Sequence, residues 1–274
     1  MNARPYLTWW PAWLLAALVL CALFAPALAP LDPDRQDLLG RLKPPGHEGR
    51  NAATFWLGTD ELGRDILSRV IHGARVSIAV AVLSVLLSGV VGVAVGMTAG
   101  YLRGWVEAML MRLVDIFLSI PAILLAIIMV AVLGPGFFNV ILVLALTRWP
   151  RYARVAYGQT LAIAERPYVR LARAMGATTP RVLALHILPN IIGPLLVVAT
   201  LEFGLMVLFE AGLSFLGLGV QPPTASWGAM LSTGRNYVAT AWWIATFPGL
   251  ALFLLVLSAN LIGDRVSDQI GKGR

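Results

Sequence analysis

Residues 168–194 read YVRLARAMGATTPRVLALHILPNIIGP, and the layout of the chain turns on them. The stretch is basic, with Arg166 just before it and Arg170, Arg173 and Arg181 within it, and it lies between hydrophobic runs. Tyr168 to Met175 has the make-up of a short helix, and Gly176 is the residue type that most readily leaves one. Thr179-Pro180 reads as a helix start, with a side-chain oxygen to cap and a proline at the first helical position. Val182, Leu183, Leu185 and Ile187 provide an apolar face, and Pro189 is expected to end or kink this second helix. The pattern predicts a helix–turn–helix lying on a membrane surface, a compact basic bump suited to docking.

A membrane is implied by composition. Hydrophobic residues make up 58% of the 274 and charged residues 13%, with a mean hydropathy of +0.78. Soluble domains carry about 25% charged residues, so an all-α polytopic membrane protein is expected. The net charge of +7 gathers in particular loops, which fits membrane topology better than nucleic-acid binding. Cys21 is the single cysteine and can form no internal disulfide.

Working outward, six hydrophobic segments are expected. Trp9 to Pro30 is either a retained span or a cleaved signal, since Ala27-Leu28-Ala29 resembles a cleavage site; its long apolar core favours the span. Asp32 to Arg75 is a polar external loop with seven basic and seven acidic residues. In it, Gly58-Thr59-Asp60-Glu61-Leu62-Gly63-Arg64-Asp65 reads as a solvated turn positioning the next span, or as a substrate-facing element. Val76 to Gly100 is the second span, with Gly92, Gly96 and Gly100 (and Gly89 nearby) forming one small-residue face for close helix packing. Ile116 to Leu133 is the third, with a kink at Pro121.

Phe137 to Thr147 is too short for a bilayer of about 30 Å at about 1.5 Å per residue, so the fourth helix must continue through Pro150 toward Gly158. That puts Arg148, Arg151 and Arg154 three apart. Arg151 and Arg154 suit snorkelling to the headgroups, while Arg148 suits either a polar cavity or snorkelling. Ile191 to Gly212 is the fifth span and carries Glu202 and Glu210, which are costly in an apolar helix unless paired or hydrated; both could border one aqueous path. Leu213 to Thr240 is an external, partly re-entrant loop. Ala241 to Gly263 is the sixth span, with Trp242 and Trp243 as interfacial anchors.

Several of these motifs resemble one family. Gly176, nine residues and then His186-Ile187-Leu188-Pro189-Asn190 are similar to the coupling motif of permease subunits in bacterial ABC importers. The residues Gly58–Asp65 and FLGLGVQPP (215–223) resemble the C-type subunits of its dipeptide/oligopeptide/nickel branch. The resemblance implies a MetI-like permease fold with six transmembrane helices and a cytoplasmic coupling helix. It also implies that Ala172, Arg173, Ala174, Gly176, Pro180, His186, Leu188, Pro189 and Asn190 make the contact with a cytosolic ATPase. In one respect the chain departs from the family: the usual Glu-Ala-Ala is here Arg170-Leu171-Ala172, an inverted charge that bears on the salt bridge with the ATPase.

The chain has no G-x-x-x-x-G-K-[ST] phosphate loop, so it is expected to bind no cofactor and to be no enzyme. ATP and magnesium would sit on two partner ATPase subunits. A second homologous permease and an extracytoplasmic substrate-binding protein complete the implied assembly in the bacterial inner membrane. Residues 1–75 would form an N-terminal helix and external loop, and residues 76–274 a five-helix core with the coupling loop at 165–190. Arg148, Glu202 and Glu210 are the candidates for the translocation pathway. The expected cargo is a dipeptide or oligopeptide, with nickel or glutathione as alternatives; His47, His72 and His186 form no metal-ligand cluster. An ion-coupled secondary carrier using Arg148, Glu202 and Glu210 is the rival from another class, and a non-transporting membrane scaffold is a third. With six spans both termini lie inside, where thirteen basic residues face eight outside.

Overall fold

The computed structural model describes residues 9–49 and 54–272. Arg4, Arg50 and Arg274, which enter the topology argument, lie outside the described residues. The described chain is mostly helical.

Helix α1 (Trp10–Leu23) packs on the third and last helices of the chain and breaks at Phe24, after which α2 (Ala25–Leu28) begins a new turn around Pro26. The expected continuous segment from 9 to 30 is therefore two pieces. The loop that follows is ordered by a two-stranded antiparallel pair, β1 (His47–Glu48) and β2 (Thr54–Phe55).

Helix α3 (Ile66–Leu102) is a single run of 37 residues, about 55 Å at about 1.5 Å per residue. It starts nearly three turns before the expected span. Asp65 sets that start: its carboxylate accepts from the Ser68 N–H at 2.8 Å and the Ser68 hydroxyl at 2.6 Å, which satisfies an orphan donor of the first turn.

The most extensive packing in the molecule is α3 on α6 (Phe137–Ala164), and it runs along the glycine stripe. A Cβ at Gly92 would collide with the Trp149 carbonyl, one at Gly96 with the Ala153 carbonyl, and one at Gly100 would come within 3.0 Å of Thr160. Absent side chains let two backbones touch, as the spacing predicted. As expected, α6 also continues without a break through Pro150.

The third segment differs from expectation. It consists of α4 (Gly104–Ser119) and α5 (Ala122–Leu133), which meet at 90°. Pro121 disfavours the helical region for the residue before it, and Ile120 is extended at φ −93° and ψ 129°. The result is a corner, not a kink.

The basic stretch is corrected at its second half. Helix α7 (Pro167–Ala174) and the break at Gly176 are as read. The N-cap of α8 (Thr179–Val182) is Thr178, one residue earlier than expected, and no side chain caps it. Pro189 does not end the helix. Leu183–Ile187 forms a π turn, with the Leu188 N–H donating to the Leu183 carbonyl, and α9 (Leu188–Phe215) continues directly. The wider turn relieves the clash that a proline ring makes with the carbonyl four residues back. The second helix of the bump is thus the first turn of a 37-residue apolar helix, Thr179–Phe215.

Trp227 opens α10 (Trp227–Arg235), which Ser226 caps by accepting from the Ala229 N–H. The Trp227 ring is buried against α3 and its indole donates to the Val70 carbonyl at 2.9 Å. Helix α11 (Trp243–Lys272) closes the fold. Trp243 is no interfacial anchor: it is buried and donates to the Thr59 carbonyl at 3.1 Å, whereas Trp242 is exposed.

By length and composition, Ile66–Leu102, Thr179–Phe215 and Trp243–Gln269 can cross a membrane, and the bent pair α4–α5 makes a fourth. Helix α1 is short, and α6 is long but charged at its centre.

Candidate functional site

Two groups of sequence-predicted residues sit in different parts of the molecule. The first is the basic loop between α6 and α9. Its turn is a Schellman closure: the Ala177 N–H donates to the Ala172 carbonyl at 3.1 Å and the Gly176 N–H to the Arg173 carbonyl at 3.0 Å. Gly176 has φ +85°, where a Cβ is strained, although no atom of this chain lies within 4 Å of that position. Glycine is therefore required here by conformation.

Around the turn the loop is outward-facing. Ala174, Gly176, Pro180, Pro189 and Asn190 are exposed, Ala172, His186 and Leu188 are half-buried, and Leu171, Met175 and Leu185 present large apolar side chains to solvent. Val169, Val182 and Ile187 are fully buried and pin the loop to the helix bundle. Arg173 lies over the Tyr101 ring at 4.7 Å, and the Asn190 amide donates to the His186 carbonyl at 2.8 Å. Arg170, the residue of inverted charge, donates to Glu165, which also accepts from Arg103 at 2.6 Å. That double contact, the Arg170 hydrogen bond foremost, holds the Glu165 carboxyl below the ordinary range. Glu165 ties the ends of α3, α6 and α7 together and was not singled out in the sequence; a lone acid among four arginines is its only signal.

The second group lies at mid-helix. Arg148 is eleven residues into α6 and Glu202 fourteen into α9, depths of about 16 and 21 Å along helices of about 42 Å. They form a forked ion pair, Nε to Oε2 at 2.7 Å and Nη2 to Oε1 at 2.9 Å, with Glu202 fully buried. The Arg148 guanidinium also lies over Phe209 at 5.3 Å. Arg151 reaches the same carboxylate, Nε to Oε1 at 3.4 Å, instead of extending alone to the headgroups. Arg154 pairs with Asp115 of α4.

Glu210 is not brought together with Glu202. It is fully buried and accepts from Ser77 of α3 at 2.9 Å and from Ser214 at 2.7 Å. Neutral hydroxyls thus satisfy it across the α3–α9 contact.

The Gly58–Asp65 turn is not a solvated one. Asp60, Arg64, Asp65 and Arg69 are buried. Arg64 donates to Asp60 at 2.6 Å and to Glu61 at 3.2 Å, and Arg69 donates to the Pro33 carbonyl at 3.1 Å. Burial, and after it the charge of Asp60, pushes the Glu61 carboxyl up; burial does the same to Asp65. Asp60, Glu61, Arg64 and Arg69, with Thr224 and Thr233, line a cavity of about 140 Å³. Among the described residues no group of three or more metal-ligating side chains exists.

Comparison with known proteins gives the family. Residues 92–272 match the family described as binding-protein-dependent transport system inner membrane component, and residues 8–45 match the N-terminal TM domain of oligopeptide transport permease C. The chain is 45% identical over 253 residues to the di/tripeptide transport system permease protein DppC of Pseudomonas aeruginosa, covering 92% of this chain and 84% of that one. It is 42% identical over 257 residues to the probable D,D-dipeptide transport system permease protein DdpC of Escherichia coli, covering 94% and 84%. The glutathione transport system permease protein GsiD of Pectobacterium atrosepticum is 41% identical over 92% of this chain and 82% of its own. A chain of the inward-facing MetNI methionine ABC transporter superposes with a TM-score of 0.59 at 22% identity, over 75% of this chain and 97% of that one, and so shares the MetI-like fold. The chain belongs to the binding-protein-dependent transport system inner membrane component family, and is a permease subunit of an ABC importer of the dipeptide/oligopeptide/nickel branch, a transport subunit and not an enzyme.

Proposed function

We propose that this chain forms half of a translocation pathway for short peptides, with six membrane segments and with residues 165–190 as the element that docks on a cytosolic ATPase. The peptide relatives support the cargo. The six segments would be α1, α3, the bent pair α4–α5, α6, α9 and α11; α1 and the external loop as far as Asp65 precede the core, whose first helix, α3, starts at Ile66 and not at residue 76. Both termini and the basic loop then face the cytoplasm across the bacterial inner membrane. A homologous permease, two ATPases carrying ATP and magnesium, and an external binding protein complete the assembly.

One observation carries the coupling assignment. Leu171, Met175 and Leu185 are exposed beside four arginines at a turn fixed by a positive-φ glycine. The helix that begins there runs without interruption to Glu202 and Glu210. A push on α8 is therefore a push on the bonds that α9 makes to Arg148 of α6 and Ser77 of α3. Through those bonds Arg148, Glu202 and Glu210 belong to the pathway machinery. ATP binding moves such a system only by differential contacts in its two states.

The test is Gly176→Asp in the complete complex. The variant should insert normally, lose co-purification with the ATPases and lose uptake of a dipeptide. Intact co-purification together with wild-type uptake would refute the docking assignment. Uptake by the wild-type complex of a dipeptide, a longer peptide, glutathione and nickel decides the cargo, and transport of glutathione alone would replace the peptide reading.

A further inference from the structure

The Arg148–Glu202 site holds two guanidiniums and one carboxylate. Arg148 occupies both oxygens of Glu202. Arg151 is left with a single 3.4 Å approach to Oε1, and it makes no hydrogen bond among the described residues. Its side chain is 60% exposed, against 12% for Arg148 and 1% for Glu202. The cluster therefore carries one positive charge in excess, presented on one face of α6 at about the middle of that helix.

An arginine at that depth cannot be left facing hydrocarbon, and since Arg151 turns to Glu202 instead of extending to the headgroups, its exposed face looks onto water or protein. A guanidinium with open donors has a planar fork that matches a carboxylate. Peptides of any side-chain composition share one such group, the C-terminal carboxylate, and a site that holds it is indifferent to the rest of the cargo. Helix α9 backs the site rigidly, since Glu202 holds Arg148 and, through it, the turn of α6 on which Arg151 stands.

We propose that Arg151, seated on the Arg148–Glu202 pair, is a water-accessible subsite of the pathway that takes the C-terminal carboxylate of a peptide in transit; this rests on the peptide-importer reading. The experiment uses the full complex in liposomes, in a Cys21→Ser background, with dialanine as the probe. Arg151→Gln should lower uptake at subsaturating dialanine by about tenfold or more, the loss of one charge-assisted hydrogen bond. Arg151→Lys, which keeps the charge but not the fork, should recover part of it, and subunit co-purification should not change. Arg151→Cys should react with a water-soluble thiol reagent in the assembled complex, and dialanine should slow that reaction. Uptake by Arg151→Gln within twofold of wild type would overturn the proposal, as would a loss that lysine does not relieve. So would failure of the Arg151→Cys thiol to react, which would mark a subunit interface. Wild-type uptake separates the two readings: if it is absent, the peptide assignment fails as well, and if it is present the outcome concerns Arg151 alone.

Discussion

Glu202 must satisfy two guanidiniums with one carboxylate, and this asymmetry dictates what substitutions there do. Removing Glu202 leaves two cations without a partner, whereas removing Arg148 leaves Glu202 still facing Arg151. Breaking a buried ion pair by deleting one partner costs about 3–5 kcal/mol, while replacing both by apolar residues of similar volume is often neutral. Glu202→Leu should therefore lie at the upper end of that range and Arg148→Met below it. The double variant should return to within about 1–2 kcal/mol of wild type. Thermal unfolding of the purified chain in detergent measures all three. If the two losses simply add, the pair seen here does not govern stability.

Between α3 and α6 the same logic holds for helices. Gly96 and Gly158 are both helical, but a Cβ at Gly96 would press on the Ala153 carbonyl and sit 2.8 Å from the Ala156 methyl, whereas Gly158 has open space. One substitution therefore has opposite signs at the two sites. Gly96→Ala should destabilise the isolated chain by about 1–3 kcal/mol through overpacking, and Gly158→Ala should stabilise it by up to about 1 kcal/mol through helix propensity. Melting temperatures that move the same way would contradict the glycine contact. That contact was legible in the sequence, because a four-residue repeat fixes one face of a helix whatever it packs against. The Gly176 turn was legible for a similar local reason. The 90° corner at Pro121 and the π turn before Pro189 were not. A proline announces a defect, but whether the chain stops, bends or absorbs it depends on tertiary packing, here the complete burial of Ile187 and Ile191. The partner of Arg148 was hidden in the same way: the sequence left a polar cavity or snorkelling open for it, and the carboxylate it pairs with lies 54 residues away on α9.

Across the whole molecule, apart from the mid-helix Arg148–Arg151–Glu202 cluster and Glu210, the charges gather toward two ends. Arg103 of the α3 terminus bonds to Glu165 of the α6 terminus, beside the Gly176 turn, so Gly104 and Met175 share an end. At the other end Thr224 lines the same cavity as Asp60 and Arg64, and the loop around Gly46 is bonded to Phe55. Basic residues favour the first end as the cytoplasmic one, apart from the seven in the Asp32–Arg75 loop. Two of those, Arg64 and Arg69, are buried in ion pairs with Asp60 and Asp34, so they are neutralised within the fold and weigh little on orientation. The first end should therefore lie inside. In a Cys21→Ser background expressed without its partner subunits, cysteines at Gly104 and Met175 should resist a membrane-impermeant reagent in intact cells and react after lysis. Cysteines at Gly46 and Thr224, both exposed, should react in intact cells. Labelling of position 175 from outside would invert the molecule, and a docking loop for a cytosolic ATPase could not then reside at residues 165–190.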